Sequence, residues 1–559
     1  MTGTAAEAGE DGILNPPITI VPRPQTVTPT TQFFRLAASS RITIEQTPDS
    51  QDPDNGCVVT AGLLRDRLRP ATGFTFDLID SATDAQRDDR ITLAIDATLG
   101  GSAYLISVAD SGVHLTGGDG AGLFHATQTF LQLCPVDIFR RTPVAGVDWI
   151  VPGVEISDAP RFAWRGMLLD VCRHFFGRGS ILTLIDALAL HRLNVLHLHL
   201  TDDQGWRLEI LRHPRLSAVG SWRAKSALVD TAELGEGETA VYNEVPHSGF
   251  LSQDDVREIV AYAAARFITV MPEIDIPGHS QAAIAAYPEL GNTGEQLAVW
   301  TDWGISEHVL NLEPATVQFY RDVFDEVLAL FPSEFIHIGG DECPTAEWEA
   351  SDTAQARMRQ LGLRRETDLQ TWLTNHFAGY LAERGRRLVG WDEILQGTLP
   401  PGATVMSWQG VEAGIEAAEA GHDVIMAPEE KTYLLHRQSD DPRIEPRGSE
   451  PPVTLRDVYS FDPVPAGLSD EAAAHVLGAQ CSMWTEFVGS EREMHQMVFP
   501  RLCAFAESVW RTEAAPVEEF LDRLEPQLQR LHGLGIDAWR APPRLPTDGA
   551  HPGFGGTPG

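Results

Sequence analysis

Residues 335–342 read FIHIGGDE, a short apolar run that ends in two glycines and two adjacent acids. Similar β-rich runs recur from residue 165 to residue 484. The runs are RGMLLDVC (165–172), NVLHLHLT (194–201), FITVMPEID (267–275), FIHIGGD (335–341), RLVGWDE (387–393), TVMSW (404–408), HDVIMAP (422–428) and HVLGAQCSMW (475–484). Helical patterns fill most gaps, at 179–192, 252–266, 314–330, 366–385, 411–420 and 490–511. Strands that alternate with helices predict βα units around a parallel sheet.

Eight such runs predict an α/β fold with a (β/α)8 TIM barrel as its catalytic domain. The gap at 394–403, ILQGTLPPGA, is too short and too rich in proline and glycine for a full helix, so one unit is irregular. A doubly wound open sheet remains the alternative. We predict a disordered leader at 1–13, an N-terminal α+β domain at 14–155, the barrel with a C-terminal helix at 156–545, and a disordered tail at 546–559.

The small first domain is predicted from strand candidates such as ITLAIDA (91–97) and AYLISVA (103–109), mixed with a helical stretch at 122–133. A glycine-rich run, GGDGAG (117–122), precedes that helix. It lacks the Lys-Ser/Thr and the spacing of a phosphate-binding loop, so a tight turn into the helix is the better interpretation.

Composition excludes several classes of function. The chain has 559 residues, of which 43% are hydrophobic, and a formal net charge of −37. Such a surface repels phosphates and anionic lipid, so we expect neither nucleic acid nor membrane as a partner. The first residues, MTGTAAEAGEDG, lack the basic and apolar parts of a signal peptide, which predicts a cytoplasmic location. Six scattered cysteines form no CxxC pair, and no GxSxG elbow is present.

Acids, an arginine and aromatic residues stand at the C-terminal ends of the runs, where barrel enzymes carry their chemistry. They include Asp170, Arg173, Asp202, Asp203, Glu273, Asp275, His279, Asp341, Glu342, Trp391, Asp392, Glu393, Trp408, Tyr433, Trp484 and Glu486. This combination suits a sugar, because aromatic rings pack on its C–H faces while arginine and carboxylates bind its hydroxyls. Taken singly, Asp203 and Glu393 could be helix caps. The HLHL run (197–200) could hold a metal, but we predict none.

The adjacent pair Asp341 and Glu342 is the most informative. A retaining glycosidase that supplies its own nucleophile has two carboxyls about 5 Å apart across the scissile bond. Neighbouring side chains leaving one strand diverge, so they are poorly placed for that task. The pair instead predicts two separate jobs: one acid protonates the leaving oxygen, and the other steadies a nucleophile that belongs to the substrate.

These motifs resemble the family 20 glycoside hydrolases, the β-N-acetylhexosaminidases. The matching segments, in the family's order, are RGMLLDVCRHF, NVLHLHLTDDQGWR, MPEIDIPGHS, HIGGDE, GWDEI and WTE, spanning roughly 160–510. The resemblance implies an exo-acting, retaining enzyme that removes terminal β-linked GlcNAc or GalNAc through an oxazolinium intermediate, without a cofactor. A relative specific for a 6-substituted sugar or a disaccharide, as a lacto-N-biosidase is, and a catalytically dead sugar-binding protein are the alternatives.

The resemblance also implies a role for each site residue. Glu342 would be the general acid and base. Asp341 would orient the 2-acetamido group, and Tyr433 would donate its hydroxyl to the acetamido oxygen. The remaining residues would bind or support the sugar: Trp372, Trp391 and Trp484 as aromatic walls, Arg173 at the 3- and 4-hydroxyls, Glu486 on the 4-hydroxyl side, Asp202 in support, and His279 backed by Asp275 to tune Glu342.

One position departs from the family pattern. After the seventh run the family has Tyr-Leu-Asp, with the aspartate on the 6-hydroxyl side of the sugar, whereas this chain has Tyr433, Leu434 and Leu435. We expect either weaker binding of plain terminal GlcNAc or tolerance of a 6-substituent, with Arg437 as a partner for an anionic group. A reshaped loop without any change of specificity is the third possibility.

Overall fold

The computed structural model describes residues 16–45, 56–80, 89–228, 239–441, 443–513 and 515–540. The predicted leader and tail, 1–13 and 546–559, lie outside the described residues. Among the helices within these ranges, none has both the length and the apolar character needed to span a bilayer.

Seven strands of the first domain form one mixed sheet. The elements are β1 Thr26–Arg35, β2 Arg41–Ile44, α1 Gly56–Thr72, β3 Leu78–Asp80, β4 Arg90–Ile95, β5 Tyr104–Ala109, β6 Gly112–Gly117, α2 Gly120–Leu133 and β7 Ile150–Asp158. The strand order is β1-β7-β5-β6-β4-β2-β3. The pairs among β3, β2, β4 and β6 are parallel and the other pairs are antiparallel. The predicted α+β domain is confirmed.

The GGDGAG run is the turn that begins α2. The Oδ1 atom of Asp119 accepts a hydrogen bond from the backbone N–H of Gly122 at 2.7 Å and so caps the helix. The predicted boundary between residues 155 and 156 falls inside β7, because that strand continues to Asp158, which still pairs with Tyr104. The first domain therefore ends at Asp158.

A closed parallel barrel follows. Its strands, with short two-residue strands from the loops between them, are β8 Trp164–Asp170, β9 Val195–His199, β10 Thr201–Asp202, β11 Gly205–Trp206, β12 Trp222–Arg223, β13 Ser226–Ala227, β14 Tyr242–Asn243, β15 His247–Ser248, β16 Thr269–Glu273, β17 Phe335–His337, β18 Arg387–Trp391, β19 Thr404–Ser407, β20 Asp423–Met426 and β21 Val476–Met483. The barrel runs β8-β9-β16-β17-β18-β19-β20-β21, and β21 pairs with β8. Each predicted run supplies one barrel strand, which confirms the barrel and rules out the open sheet.

Helices lie between the barrel strands and after the last of them. They are α3 Arg178–Leu190, α4 Arg215–Ala218, α5 Gln253–Ala264, α6 Gln281–Ala286, α7 Pro314–Leu330, α8 Ala346–Ala350, α9 Asp352–Leu361, α10 Thr367–Ala382, α11 Glu412–Glu419, α12 Glu429–Thr432, α13 Leu455–Ser460, α14 Asp470–Ala473, α15 Glu491–Val498, α16 Arg501–Trp510 and α17 Val517–Leu534. The predicted helix at 490–511 is two helices, since Pro500 has no N–H to continue the hydrogen-bond ladder. The irregular unit holds a short 3-10 helix, Asp392–Gln396.

Apolar side chains fill the interior of the barrel below its mouth. Leu168, Met271, Val389, Met406 and Ile425 each come from a different strand and form one buried cluster. The aromatic residues at the strand ends belong to the same cluster. The barrel is thus a packed core, and its chemistry is confined to the C-terminal ends of the strands.

A buried ion pair joins the two domains. Arg192, which follows α3, contacts Asp158 Oδ2 through Nη1 at 3.0 Å, and neither side chain is exposed to solvent. The same nitrogen donates to the hydroxyl of Thr129 at 2.9 Å, and the indole N–H of Trp510 donates to Asp158 Oδ2 at 3.0 Å. The pair therefore ties the end of the first domain to the first and last parts of the barrel.

Replacing Arg192 by Met should lower the free energy of unfolding by about 3–5 kcal/mol, because Asp158 is left as a buried charge without its partner. Arg456→Met is the matched control, since Arg456 and Glu518 form an exposed pair whose loss costs less than about 1 kcal/mol. Urea unfolding of the two variants and the parent checks this. Equal losses in both variants would contradict the structural weight given to the buried pair.

Candidate active site

A glycine turn after β17 presents the two adjacent acids at the barrel mouth. Gly339 and Gly340 have φ angles of +67° and +96°, a region that favours glycine. A Cβ on Gly339 would lie 1.7 Å from Asp275 Oδ1, so no other residue fits there. This close approach lets the Gly340 N–H donate to the same oxygen at 3.1 Å. Asp341 and Glu342 follow at once, and their position is fixed by the turn.

His279 lies between two pairs of acids. Its Nδ1 is 3.3 Å from Asp202 Oδ1 and 3.3 Å from Asp203 Oδ2. Its Nε2 is 3.5 Å from Asp341 Oδ2 and 3.5 Å from Glu342 Oε2. Burial lowers the pKa of His279, but Asp202 and its other acidic neighbours raise it well above its ordinary value. The imidazole is therefore charged and can hold the acids together.

Three acids near this centre differ in the direction of their pKa shifts. Burial raises the pKa of Glu342, yet the hydrogen bond and charge of His279 bring it below the ordinary value. Burial raises the pKa of Asp341, and neighbouring acids add to the effect. Burial and the charge of Asp341 also raise the pKa of Asp275, well above its ordinary value.

Arg173 forms a second centre on the same mouth. Its Nη2 is 2.7 Å from Asp202 Oδ2, and its Nε donates to Gln204 Oε1 at 3.1 Å. Its Nη1 is 3.9 Å from Glu486 Oε1, and the guanidinium lies 5.0 Å from the ring centroid of Trp484. Burial raises the pKa of Glu486 to about 7, although Arg173 opposes this. An arginine beside an acid offers both donors and acceptors to adjacent sugar hydroxyls.

The histidines of the HLHL run face an acid in the barrel interior. Glu273 Oε2 lies 3.1 Å from His197 Nε2 and 2.6 Å from His199 Nδ1, and its Oε1 lies 2.9 Å from His337 Nδ1. The indole N–H of Trp391 also donates to Oε1, at 3.0 Å. These are hydrogen-bond distances between the groups themselves, and Glu273 anchors Trp391 from below. That the protein uses no metal stays a prediction.

Aromatic residues wall a pocket above these centres. The pocket has a volume of about 140 Å³ and is lined by Arg173, Asp341, Glu342, Trp391, Trp408, Glu429, Tyr433, Leu435, Trp484 and Glu486. The rings of Trp391 and Tyr433 lie 5.8 and 6.1 Å from that of Trp484, and Trp408 stacks on Tyr433 at 6.1 Å. Pockets for drug-sized ligands measure roughly 300–1,000 Å³, so this one suits a single sugar ring.

The prediction that Trp372 walls the pocket is wrong. Trp372 lies on α10, where it stacks on His376 at 5.2 Å and lines a separate surface hollow with Thr371 and Asn375. Trp372 is not among the residues that line the sugar pocket. Trp408, the last residue of the TVMSW run, takes the expected place. The strand-end pattern contained this signal, because Trp408 follows a barrel strand and Trp372 does not.

Glu393 is not a helix cap but a support for Trp408. Its Oε2 accepts the indole N–H of Trp408 at 3.1 Å, and its Oε1 accepts the amide of Gln409 at 3.1 Å. Burial raises the pKa of Glu393 to about 8, and the charge of Asp341 contributes. Asp203 is not a cap in the usual sense either, since the N-cap of α6 is Ser280, but its Oδ1 accepts the N–H of Gln281 at the start of α6 at 2.8 Å.

The departure at Leu435 lies on the pocket wall, as the sequence predicted, but Arg437 does not reach it. Arg437 is buried and pairs with Glu450. It is not among the residues that line the pocket, so the hypothesis that it binds an anionic substituent there is wrong. Arg501 fixes the backbone here, donating to the carbonyl oxygens of Leu434 at 2.6 Å and of His436 at 2.8 Å.

Family comparisons agree with this geometry. The sequence model "Glycosyl hydrolase family 20, domain 2" matches residues 17–159, and "Glycosyl hydrolase family 20, catalytic domain" matches residues 162–513. The chain belongs to glycosyl hydrolase family 20. It is therefore a glycoside hydrolase, and the family and fold implied by the sequence motifs are confirmed.

Relatives and solved structures carry hexosaminidase names. A β-hexosaminidase of Porphyromonas gingivalis is 38% identical over 93% of this chain, which spans 64% of that relative's length. A β-hexosaminidase of Vibrio furnissii is 37% identical, over 88% of this chain and 76% of its own length. The GH20 β-N-acetylhexosaminidase of Streptomyces coelicolor A3(2) is 31% identical with a TM-score of 0.78, covering 95% of this chain and 99% of that one. The exo β-N-acetylglucosaminidase of Vibrio harveyi, solved with N-acetylglucosamine, is 30% identical with a TM-score of 0.80, covering 94% and 78%.

Trp408→Ala should lower kcat/KM on an aryl β-N-acetylglucosaminide by about ten- to a hundred-fold, because the pocket loses an aromatic wall. Trp372→Ala, which removes the same side chain outside the pocket, should change kcat/KM by less than about two-fold. Steady-state kinetics, with thermal unfolding as a check on folding, decides between the two positions. A larger loss at Trp372 would restore the assignment made from sequence.

Proposed function

We propose that this chain is an exo-acting, retaining β-N-acetylhexosaminidase that hydrolyses terminal non-reducing β-linked GlcNAc or GalNAc from oligosaccharides or glycoconjugates. The observation that carries the proposal is the pair Asp341 and Glu342 in a pocket sized for one sugar, which Tyr433 also lines. A second carboxylate across the pocket is not required if the substrate supplies the nucleophile. The hexosaminidase names of the relatives support the same reading.

In the first half of the reaction, Glu342 protonates the glycosidic oxygen as the bond from C1 to that oxygen breaks. The carbonyl oxygen of the 2-acetamido group attacks C1 from the opposite face and forms an oxazolinium ion. Asp341 accepts the acetamido N–H and stabilises the developing positive charge, while Tyr433 donates its hydroxyl to the acetamido oxygen. The proton comes from Glu342 itself, which is left as a carboxylate, and the charged His279, 3.5 Å from Glu342 Oε2, holds that carboxylate in place.

In the second half, Glu342 acts as a base. It removes a proton from water, whose oxygen attacks C1 from the side that the leaving group vacated, and the C1 bond to the acetamido oxygen breaks. Two displacements at C1 give net retention of the anomeric configuration. Arg173 and Glu486 hold the sugar at its ring hydroxyls during both steps, and Asp202 keeps Arg173 in place.

The proposal also covers the substrate class and the location of the protein. Chitobiose-type substrates fit it, since one relative, from Vibrio harveyi, is named N,N'-diacetylchitobiase. The cytoplasmic location stays a prediction. A catalytically dead sugar-binding protein is disfavoured, because such a protein has no use for an acid placed as Glu342 is.

The parent protein should hydrolyse an aryl β-N-acetylglucosaminide, and a thiazoline that mimics the oxazolinium ion should inhibit it. Asp341→Asn should lose at least about a hundred-fold in kcat and bind the thiazoline more weakly, since the amide cannot stabilise the positive charge. Initial rates and inhibition constants measure both effects. Folded protein without turnover would contradict the proposed activity. Turnover that the thiazoline does not inhibit would contradict the mechanism.

Glu342→Gln should lower kcat by about 10² to 10⁴ on chitobiose or a methylumbelliferyl glycoside, because the leaving oxygen is no longer protonated. A dinitrophenyl glycoside needs little protonation, so its glycosylation step should be far less affected. Pre-steady-state and steady-state rates on this pair of substrates separate the acid role from a loss of folding. Equal loss of the glycosylation step on both substrates would contradict the acid assignment.

A further inference from the structure

Glu429 is an acid in the pocket wall that the mechanism does not use. It is the first residue of α12, directly after β20, and it lines the pocket beside Leu435. Its backbone N–H donates to the carbonyl oxygen of Trp408 at 2.9 Å, which ties its position to the aromatic wall. The side chain is partly open to solvent. Glu429 thus stands between the sugar pocket and a neighbouring hollow that it lines with His436.

The orientation of the Glu429 carboxylate is fixed by His436, a buried residue. His436 Nδ1 lies 2.7 Å from the carbonyl oxygen of Pro451, which can only accept a hydrogen bond, so Nδ1 carries a proton. His436 Nε2 lies 3.1 Å from Glu429 Oε1, and a carboxylate oxygen also accepts. The imidazole therefore lies against one of the two carboxylate oxygens of Glu429. Within the described part of the chain, Oε2 of Glu429 makes no hydrogen bond.

The chemistry of the sugar indicates what this free oxygen meets. With the acetamido group and C1 held by Asp341, Glu342 and Tyr433, a GlcNAc unit still presents its 3-, 4- and 6-hydroxyls to the wall. The 3- and 4-hydroxyls are neighbours on the ring, and Arg173 and Glu486 are neighbours in the pocket, 3.9 Å apart. The 6-hydroxyl stands on a separate carbon and needs a separate partner. Glu429 is the remaining charged side chain among the described residues that line the pocket.

We propose that Glu429 is a specificity residue, whose Oε2 accepts a hydrogen bond from the exocyclic 6-hydroxyl of the terminal sugar. This inference rests on the proposed function of the pocket. Leu435 cannot accept a hydrogen bond, so Glu429, the first residue of α12, binds the 6-hydroxyl in its place. The negative charge of Glu429 also repels an anionic 6-substituent. Arg437 does not offset this repulsion, because it is paired with Glu450.

The test combines a side-chain deletion with a hydroxyl deletion. Glu429→Ala is compared with the parent on the 4-nitrophenyl β-glycosides of GlcNAc, 6-deoxy-GlcNAc and 4-deoxy-GlcNAc. A hydrogen bond to a charged group is worth about 1.5–3 kcal/mol, or about ten- to a hundred-fold in kcat/KM. The variant should lose this factor on the GlcNAc and 4-deoxy substrates and change by less than about two-fold on the 6-deoxy substrate.

Glu430→Ala is the matched control, because Glu430 is the next residue and lines a neighbouring hollow but not the sugar pocket. It should leave all three rates within about two-fold of the parent. Retained turnover of the 6-deoxy substrate shows that Glu429→Ala is folded. A loss that is equal on all substrates, or one that vanishes with the 4-deoxy substrate instead, overturns the assignment. Absence of turnover in the parent would point to the proposed function and not to Glu429.

Discussion

One imidazole between four carboxylates is the interaction on which the site depends. His279 separates Asp202 and Asp203 from Asp341 and Glu342, with contacts of 3.3 to 3.5 Å to each. Carboxylates gathered in a buried place repel one another, and a charged imidazole among them offsets that repulsion. Burial lowers the pKa of His279, but Asp202 and the other acids raise it well above the ordinary value. The arrangement therefore concentrates acid groups at the barrel mouth around one cation.

Most of the fold could be predicted from the sequence because barrel strands are buried on both faces. Such strands appear as short apolar runs, and all eight runs became strands in the predicted order. The helix predicted at 490–511 failed at Pro500, where periodicity alone does not show a break. The end of the first domain was placed too early for a related reason. Strand β7 ends only at Asp158, whose carboxylate is held by Arg192 and Trp510, contacts that no local pattern reveals.

Site residues were predictable where they stand at strand ends and not elsewhere. Arg173, Asp341, Trp391 and Tyr433 follow barrel strands and meet in one pocket. Trp372 was placed in the pocket by resemblance alone, and its position on an outer helix shows the limit of that argument. Glu429 was missed because an acid at the start of a short helix has an ordinary capping interpretation. Its pocket position depends on His436 and Pro451, which come from other parts of the chain.

Arg501 holds the loop after β20 by its backbone and not by its side chains. Its guanidinium donates to four carbonyl oxygens, those of Leu434, His436, Val453 and Met497, and among the described residues of the loop it donates to no side chain. Every residue type offers the same carbonyl, so the backbone path is kept whichever side chains the loop carries. A substitution at Leu435, which is half-buried on the pocket wall, can change which sugars are accepted while the backbone keeps its path. Substrate range can thus diverge at a single pocket-facing side chain of a loop whose position is fixed from elsewhere.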